Sequence, residues 1–292
     1  MNRPAAILFD RSYSLAFASA RVFDAISQPA DLGKWFAEHT EVEPRVGGAF
    51  RFWGRHTLWV GTREEADQSL TRWTPGQALA FSWTWCGVPS DVELSVSATR
   101  VGATLRIRHT LNALLPEFEL AEHIWLLDDV WSLAIGNLRE YLKSGKPALL
   151  ADLTPKPDVV MSIEIDAPVA AVWRAITDPA EMNRWISENA AVDLRPGGVY
   201  SYGWKSPDAG TAIGPSKVIE IEPGKRLVHD WSYKWDATTR TVWEVDALGE
   251  RRTRLTVRQL GTNTPRAFGG YSNGWGKFLL KVKAMLQGEE AW

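Results

Sequence analysis

A chain of 292 residues with 45% apolar and 23% charged side chains has the composition of an ordinary globular protein, and its length suggests two domains. A net charge of −2 without a basic stripe excludes an electrostatic footprint for nucleic acid. The single cysteine, Cys86, excludes an internal disulfide and a cysteine-based zinc set. The anomaly is 16 tryptophans, each carrying a large flat surface and an indole N–H that needs a partner.

Ser12–Phe17 alternates apolar and polar residues and reads as a strand. Asp10 and Arg11 break the apolar run that a signal peptide would need, and no stretch is long enough to span a bilayer. The expectation is a cytoplasmic protein with no membrane insertion. A short helix follows, ended by Pro29, and a second one carries Trp35. A strand near Thr40–Glu43 then leads into the turn "RVGG". After Pro75-Gly76, the clearest alternation in this half points Leu79, Phe81, Trp83 and Trp85 one way. Two further strands offer Val92-Leu94-Val96 and Leu105-Ile107-His109. A long amphipathic helix with Ile124, Trp131, Ile135, Leu138 and Leu142 on its apolar face closes this half.

Lys143–Asp158 holds three prolines and reads as a semi-rigid linker. Beyond it the order begins again. "PADLGKW" (Pro29 to Trp35) returns as "PAEMNRW" (Pro179 to Trp185), and the two tryptophans lie 150 positions apart (185 − 35). At that offset eleven identities fall between Val22 and Gly54, among them Ala25 with Ala175 and Gly47-Gly48 with Gly197-Gly198. Chance would give about two. The repeat implies a duplicated α+β domain: residues 1–145, a linker over 146–158, and residues 159–292. An antiparallel sheet with one apolar face must cover it, and the terminal helix is the available cover. The gap between them is a natural ligand cavity.

The copies differ on their inner faces. In the second, the strand after Pro223-Gly224 carries Leu227, His229, Trp231, Tyr233 and Trp235, so His229 takes the register of Phe81. Tyr200, Tyr202, Tyr233 and Gln259 replace Phe50, Phe52, Trp85 and His109, and Trp243 and Trp275 lie on neighbouring inner faces. This makes the second copy the expected site of a ligand, with His229 as polar anchor or general base, or else as a satisfied core histidine. Trp185 is expected to pack its short helix on the sheet or to line the pocket rim. The segment "FGGYSNGWG" (Phe268–Gly276) is expected to be a loop before the last helix, or a mobile mouth over the cavity. His39, His56 and His123 have no metal-ligand spacing, and no phosphate loop, nucleophile elbow or dinucleotide fingerprint occurs, so neither metal nor cofactor is expected.

"APVAAVWRAITDPAEMNRW", "RPGG", the Trp-rich strand after "EPGKRL", and "GWGKFLLKVKAML" together resemble the START-like (SRPBCC) superfamily, in its branch named after the activator of Hsp90 ATPase homologue. The first copy is similar over the same elements but lacks the helix-opening proline and has Val130 where Gly274 precedes Trp275. The resemblance implies two tandem helix-grip domains, each a curved antiparallel sheet wrapped around a long C-terminal helix. It also implies a cavity for a small hydrophobic or aromatic molecule. Expected functions are a carrier or sensor without catalysis, a cyclase- or dehydratase-like enzyme acting on an aromatic or polyketide substrate, or a co-chaperone-type interaction module. Two copies in one chain are also expected to be able to dock as an intramolecular pseudo-dimer.

Overall fold

The computed structural model describes residues 7–57, 60–114, 120–206, 210–233, 236–262 and 264–289. The chain divides into two compact units, Met1–Thr154 and Pro155–Trp292. The first unit runs β1 (Ile7–Leu15), α1 (Ser19–Ser27), α2 (Pro29–Trp35), β2 (His39–Val42), β3 (Phe50–Trp53), β4 (Ser69–Thr74), β5 (Ala78–Trp85), β6 (Val88–Thr99), β7 (Gly102–Leu111) and α3 (Leu120–Ser144). Its main sheet is antiparallel in the order β1-β7-β6-β5-β4, with β2 and β3 paired beside it.

The second unit repeats this plan with β8 (Val159–Ile165), α4 (Val169–Thr177), α5 (Pro179–Met182), β9 (Ala191–Val192), β10 (Tyr200–Ser201), β11 (Val218–Glu222), β12 (Arg226–Tyr233), β13 (Asp236–Gly249), β14 (Arg252–Leu260) and α6 (Pro265–Leu286). Its sheet order, β11-β12-β13-β14-β8, is that of the first unit element for element. Each is a helix-grip domain, an antiparallel sheet closed by its C-terminal helix. The inner faces follow the alternation. Leu79, Phe81, Trp83 and Trp85 are buried in one unit, and Leu227, His229 and Trp231 in the other. No described helix is long and apolar enough to cross a membrane.

The duplicated heptapeptide has one physical cause. In a continuing helix the amide of residue 29 would donate to the carbonyl of Ala25, and that of residue 179 to Ala175. Proline stands at both positions and has no N–H, so the helix stops and the alanine carbonyl is orphaned. The tryptophan supplies the missing donor. Trp35 Nε1 donates to Ala25 O at 2.9 Å, and Trp185 Nε1 donates to Ala175 O at the same 2.9 Å. Trp185 lies beyond α5, not inside it as the sequence suggests, yet it makes the same bond. The paired glycines are equally constrained. Gly47 and Gly197 take φ of 77° and 80°, and a Cβ on Gly48 or Gly198 would lie 2.4 or 2.3 Å from a backbone oxygen.

Two expectations need correction. Phe268–Gly276 is neither loop nor mouth but part of α6, which starts upstream at Pro265 because Thr264 Oγ1 accepts from Ala267 N at 3.1 Å and Pro265 suits the first turn. Ile124 is exposed; the buried stripe of α3 runs instead through Leu127, Trp131, Ile135, Leu138 and Tyr141. The segment between the repeats makes hydrogen bonds near both of its ends. Asn137 bonds both the N–H and C=O of Leu149, and His56 Nδ1 donates to Ala151 O at 2.8 Å. Further on, Pro157 O accepts from Thr262 N, and Asp158 accepts from Gly261 N, both at 2.8 Å.

Replacing Trp35 or Trp185 by Phe should cost each unit about 1–3 kcal/mol, since a buried carbonyl loses its donor while the ring remains. Denaturant unfolding showing either variant within experimental error of wild type would refute the account. Gly270 sits in α6, and a Cβ added there would meet no atom within 4 Å, so Gly270→Ala should stabilise by about 0.5–1 kcal/mol. A drop in stability would mean that this turn is not helical.

Candidate functional site

The second unit gathers its aromatic residues from five directions. β10 and the residue after it bring Tyr200 and Tyr202, β12 brings His229 and Trp231, β13 brings Trp243, and α6 brings Trp275; Trp185 enters from the turn after α5. All are buried. Tyr200 stacks on His229 with centroids 4.8 Å apart, and Tyr202 meets the same imidazole edge-on at 6.2 Å. Trp275 lies 5.2 Å from Trp231 and 5.3 Å from Trp243, and Trp185 lies 6.3 Å from Trp243. Of the sequence-predicted residues, Tyr233 lies half-buried at the end of β12. Its neighbour on the predicted stripe, Trp235, lies outside the described residues.

The polar atoms of this cluster fall into two sets. The first is committed to the fold. Tyr200 OH donates to Ile176 O at 2.7 Å, Trp185 holds Ala175, and Trp231 Nε1 donates to Tyr271 OH at 3.1 Å. Gln259 accepts from Thr241 at 2.7 Å and donates to Thr239 at 2.6 Å, so both ends of its amide serve the sheet.

The second set is buried and has no hydrogen-bond partner among the described residues: Tyr202 OH, His229 Nε2, Trp243 Nε1 and Trp275 Nε1. The Tyr200 hydroxyl and the Trp243 indole lie near enough to Tyr202 to influence it, but neither closes a hydrogen bond to it.

The tautomer of His229 follows from its other nitrogen. Nδ1 lies 2.7 Å from Asp230 O, and a carbonyl can only accept, so Nδ1 carries the proton. Nε2 therefore presents a lone pair. Burial pushes His229 down to about 4, against smaller opposing effects from the Asp230 carbonyl and carboxylate, so the ring is neutral at pH 7. Burial also raises both tyrosine hydroxyls above their usual range. Asp230 is the one buried carboxylate among the described residues of this unit. Burial pushes it up, but hydrogen bonds from the Ser216 hydroxyl and from Lys217 N and Ser216 N, both amides at 2.8 Å, outweigh this and hold it below the usual carboxylate range.

The first unit solves the same problem differently. Trp131 Nε1 donates to His109 Nδ1 at 3.2 Å, which leaves the proton on Nε2, 2.9 Å from Ser90 Oγ; Ser90 in turn donates to Trp83 O at 2.7 Å. His109, pushed down to about 3 by burial, is a satisfied core histidine. Its counterpart Gln259 turns to threonines, and the counterpart of Trp131, Trp275, has no acceptor among the described residues. Around the first unit's rings, Trp83 Nε1 and Gln68 Nε2, which have no partner among the described residues, are both donors. The second unit offers an acceptor as well.

Sequence reasoning missed Trp204, Tyr271 and Phe278. Trp204 stacks on Phe278 at 5.5 Å and donates to Ile186 O at 2.8 Å. Its matched position in the first copy is Gly54, so the repeat gave no signal for it. Tyr271 and Phe278 sit four residues before and three after Trp275, a spacing visible once the helix is started at Pro265. No cluster of three metal-ligating side chains occurs among the described residues.

Because His229 is neutral when folded and titrates near 6.5 when unfolded, its contribution is intact above pH 6.5 and is lost as pH falls toward about 4, by on the order of 3 kcal/mol in full. His229→Gln should flatten the stability profile between pH 6.5 and 4. Parallel acid limbs for variant and wild type in chemical denaturation would refute this.

The sequence profile described as activator of Hsp90 ATPase homolog 1-like protein matches residues 16–143 and again 166–287. Among solved structures, DynU16, from the dynemicin biosynthetic locus, is 15% identical over 96% of this chain and 99% of its own, with a TM-score of 0.42. CalU16 from Micromonospora echinospora is 25% identical over 46% of this chain and 76% of its own, with a TM-score of 0.39. Protein MLL2253 from Mesorhizobium loti is 24% identical over 46% and 98%, with a TM-score of 0.40. None of the curated proteins matches significantly. The two matched regions cover each unit from its first helix into its last, and the chain belongs to the activator of Hsp90 ATPase homolog 1-like family, in two tandem copies.

Proposed function

We propose that this protein is a carrier or sensor that binds a small aromatic molecule in the interior of its second unit. One observation carries the reading: four buried polar atoms without partners among the described residues, on Tyr202, His229, Trp243 and Trp275, belong to one aromatic cluster between sheet and helix. Each such group costs about 1–3 kcal/mol when left unpaired. Buried polar groups in proteins are nearly always satisfied by protein, water or ligand, so their concentration in one cluster supports a site where something else completes the bonding. Aromatic surroundings favour a flat, apolar partner.

Cyclase- or dehydratase-like catalysis would ask His229 to take a proton. An imidazole held at about 4 is a weak base at neutral pH, which favours hydrogen-bond acceptance over proton abstraction.

Titration of intrinsic tryptophan fluorescence with a panel of aromatic compounds should give saturable binding to the full chain. Trp275→Ala should weaken it about tenfold or more, while His109→Gln in the first unit should leave it unchanged. Absence of saturable binding, or loss through His109→Gln alone, would remove the proposal.

A further inference from the structure

We infer that His229 is the specificity-determining residue of this site: its Nε2 lone pair selects neutral aromatic ligands that carry a hydroxyl or N–H donor. The inference rests on the ligand-binding reading above. It starts from the bond between His229 Nδ1 and Asp230 O, which fixes the proton on Nδ1 and leaves Nε2 as an acceptor. Among the unpartnered atoms of the cluster, Nε2 is the one that cannot donate. Trp243 and Trp275 can only donate, and Tyr202 can do either.

The complement of this pattern is a ligand with at least one donor for His229 and at least one acceptor, such as a phenol or ketone oxygen, for the indoles. Stacking of Tyr200 on the imidazole at 4.8 Å and the edge-on Tyr202 at 6.2 Å hold the ring plane, so the lone pair has a set direction. Tyr200 is itself pinned through its hydroxyl to Ile176 O.

Charge is selected against. The described residues of the cluster include no buried Lys or Arg to pair with a carboxylate, and the one buried carboxylate, Asp230, is occupied by Ser216 and Lys217. Burying an unpaired ion there would cost far more than a hydrogen bond returns. A methyl ether fails differently. It keeps the ring and the oxygen but removes the donor, leaving Nε2 desolvated and unpaired. Sites built to bond a hydroxyl discriminate strongly against analogues that lack it.

The test uses the full-length protein with one matched set of probes: 2-naphthol, 2-methoxynaphthalene, naphthalene and 2-naphthoate. The set is repeated with phenol, anisole, toluene and benzoate to cover a smaller pocket. Wild type should bind each hydroxyl compound about 10- to 100-fold more tightly than its methyl ether, with the carboxylate weakest. His229→Phe places the residue of the equivalent strand position, Phe81, in the second unit and should erase this preference while keeping affinity for the ether and the hydrocarbon.

Equal binding of hydroxyl and ether by wild type, a preference that survives His229→Phe, or tightest binding of the carboxylate would each overturn the inference while leaving the ligand site standing. Binding of no probe in either set would sink both. Should the variant fail to fold, nitrogen-15 spectra of histidine in the wild-type protein decide the matter. Nε2 of His229 must be unprotonated in the free protein and must shift toward the hydrogen-bonded value on adding 2-naphthol. A protonated Nε2, or no shift at saturating naphthol, would count against it.

Discussion

A proline that removes a hydrogen bond and a tryptophan that replaces it set up both halves of this protein. Pro29 and Pro179 each end a helix one turn after an alanine whose carbonyl then lacks a donor, and Trp35 and Trp185 reach back ten residues to supply it. The bond ties a broken helix to a buried indole. In the second unit the neighbouring carbonyl, Ile176 O, is also freed, because the amide of Ala180 turns to the Asp178 side chain that starts α5. Tyr200 fills that vacant valence with its hydroxyl. The tyrosine fixed in this way is the one that stacks on His229. A helix-end constraint thus propagates, through one carbonyl and one ring, to the orientation of the candidate binding group.

Identical topology supports two interiors of different chemistry. In the first unit, Trp131, His109, Ser90 and the Trp83 carbonyl form a closed chain of donors and acceptors. In the second, Gln259 occupies the place of His109 but spends both ends of its amide on threonines of the sheet, and the Trp275 N–H has no acceptor among the described residues. Phe81 becomes His229, whose far nitrogen has no partner among the described residues. These exchanges leave the apolar frame intact, with Leu227, Val257, Leu279 and Val282 all fully buried. The frame supplies the stability, and the substitutions supply polarity at a few points inside it.

The fold was legible in the sequence because its signals are local or repeated. Alternation gave the inner strands, Pro-Gly pairs gave the turns, and the offset of 150 made each copy a check on the other. What stayed hidden required knowing neighbours. The glycines of "FGGYSNGWG" argue against a helix by propensity, but the Thr264 cap and the packing of Trp275 override a cost of about 1 kcal/mol per glycine. Likewise Ile124 fits the helical period, yet the buried stripe follows the partners α3 meets, ending at Tyr141, whose hydroxyl donates to Asp31. At the candidate site, the inward aromatic residues could be read from register alone. Which of their polar atoms are already engaged could not. Tyr200, Trp231 and Gln259 are indistinguishable in sequence from Tyr202, Trp243 and His229 as pocket residues, and only the positions of Ile176 O, Tyr271 OH and Thr239 separate them.

Burial gives the second interior a property that matters for recognition. It lowers His229 to about 4 and raises the tyrosine hydroxyls beyond their ordinary range, so none of these groups changes charge near neutral pH. Donors remain donors, and the Nε2 lone pair remains an acceptor. Under the proposed reading, such a site excludes ions and distinguishes neutral molecules by where their hydroxyl and carbonyl oxygens lie on a flat ring. The ring cluster around it, fixed from β10, β12, β13 and α6, makes those positions rigid enough for the distinction to carry weight.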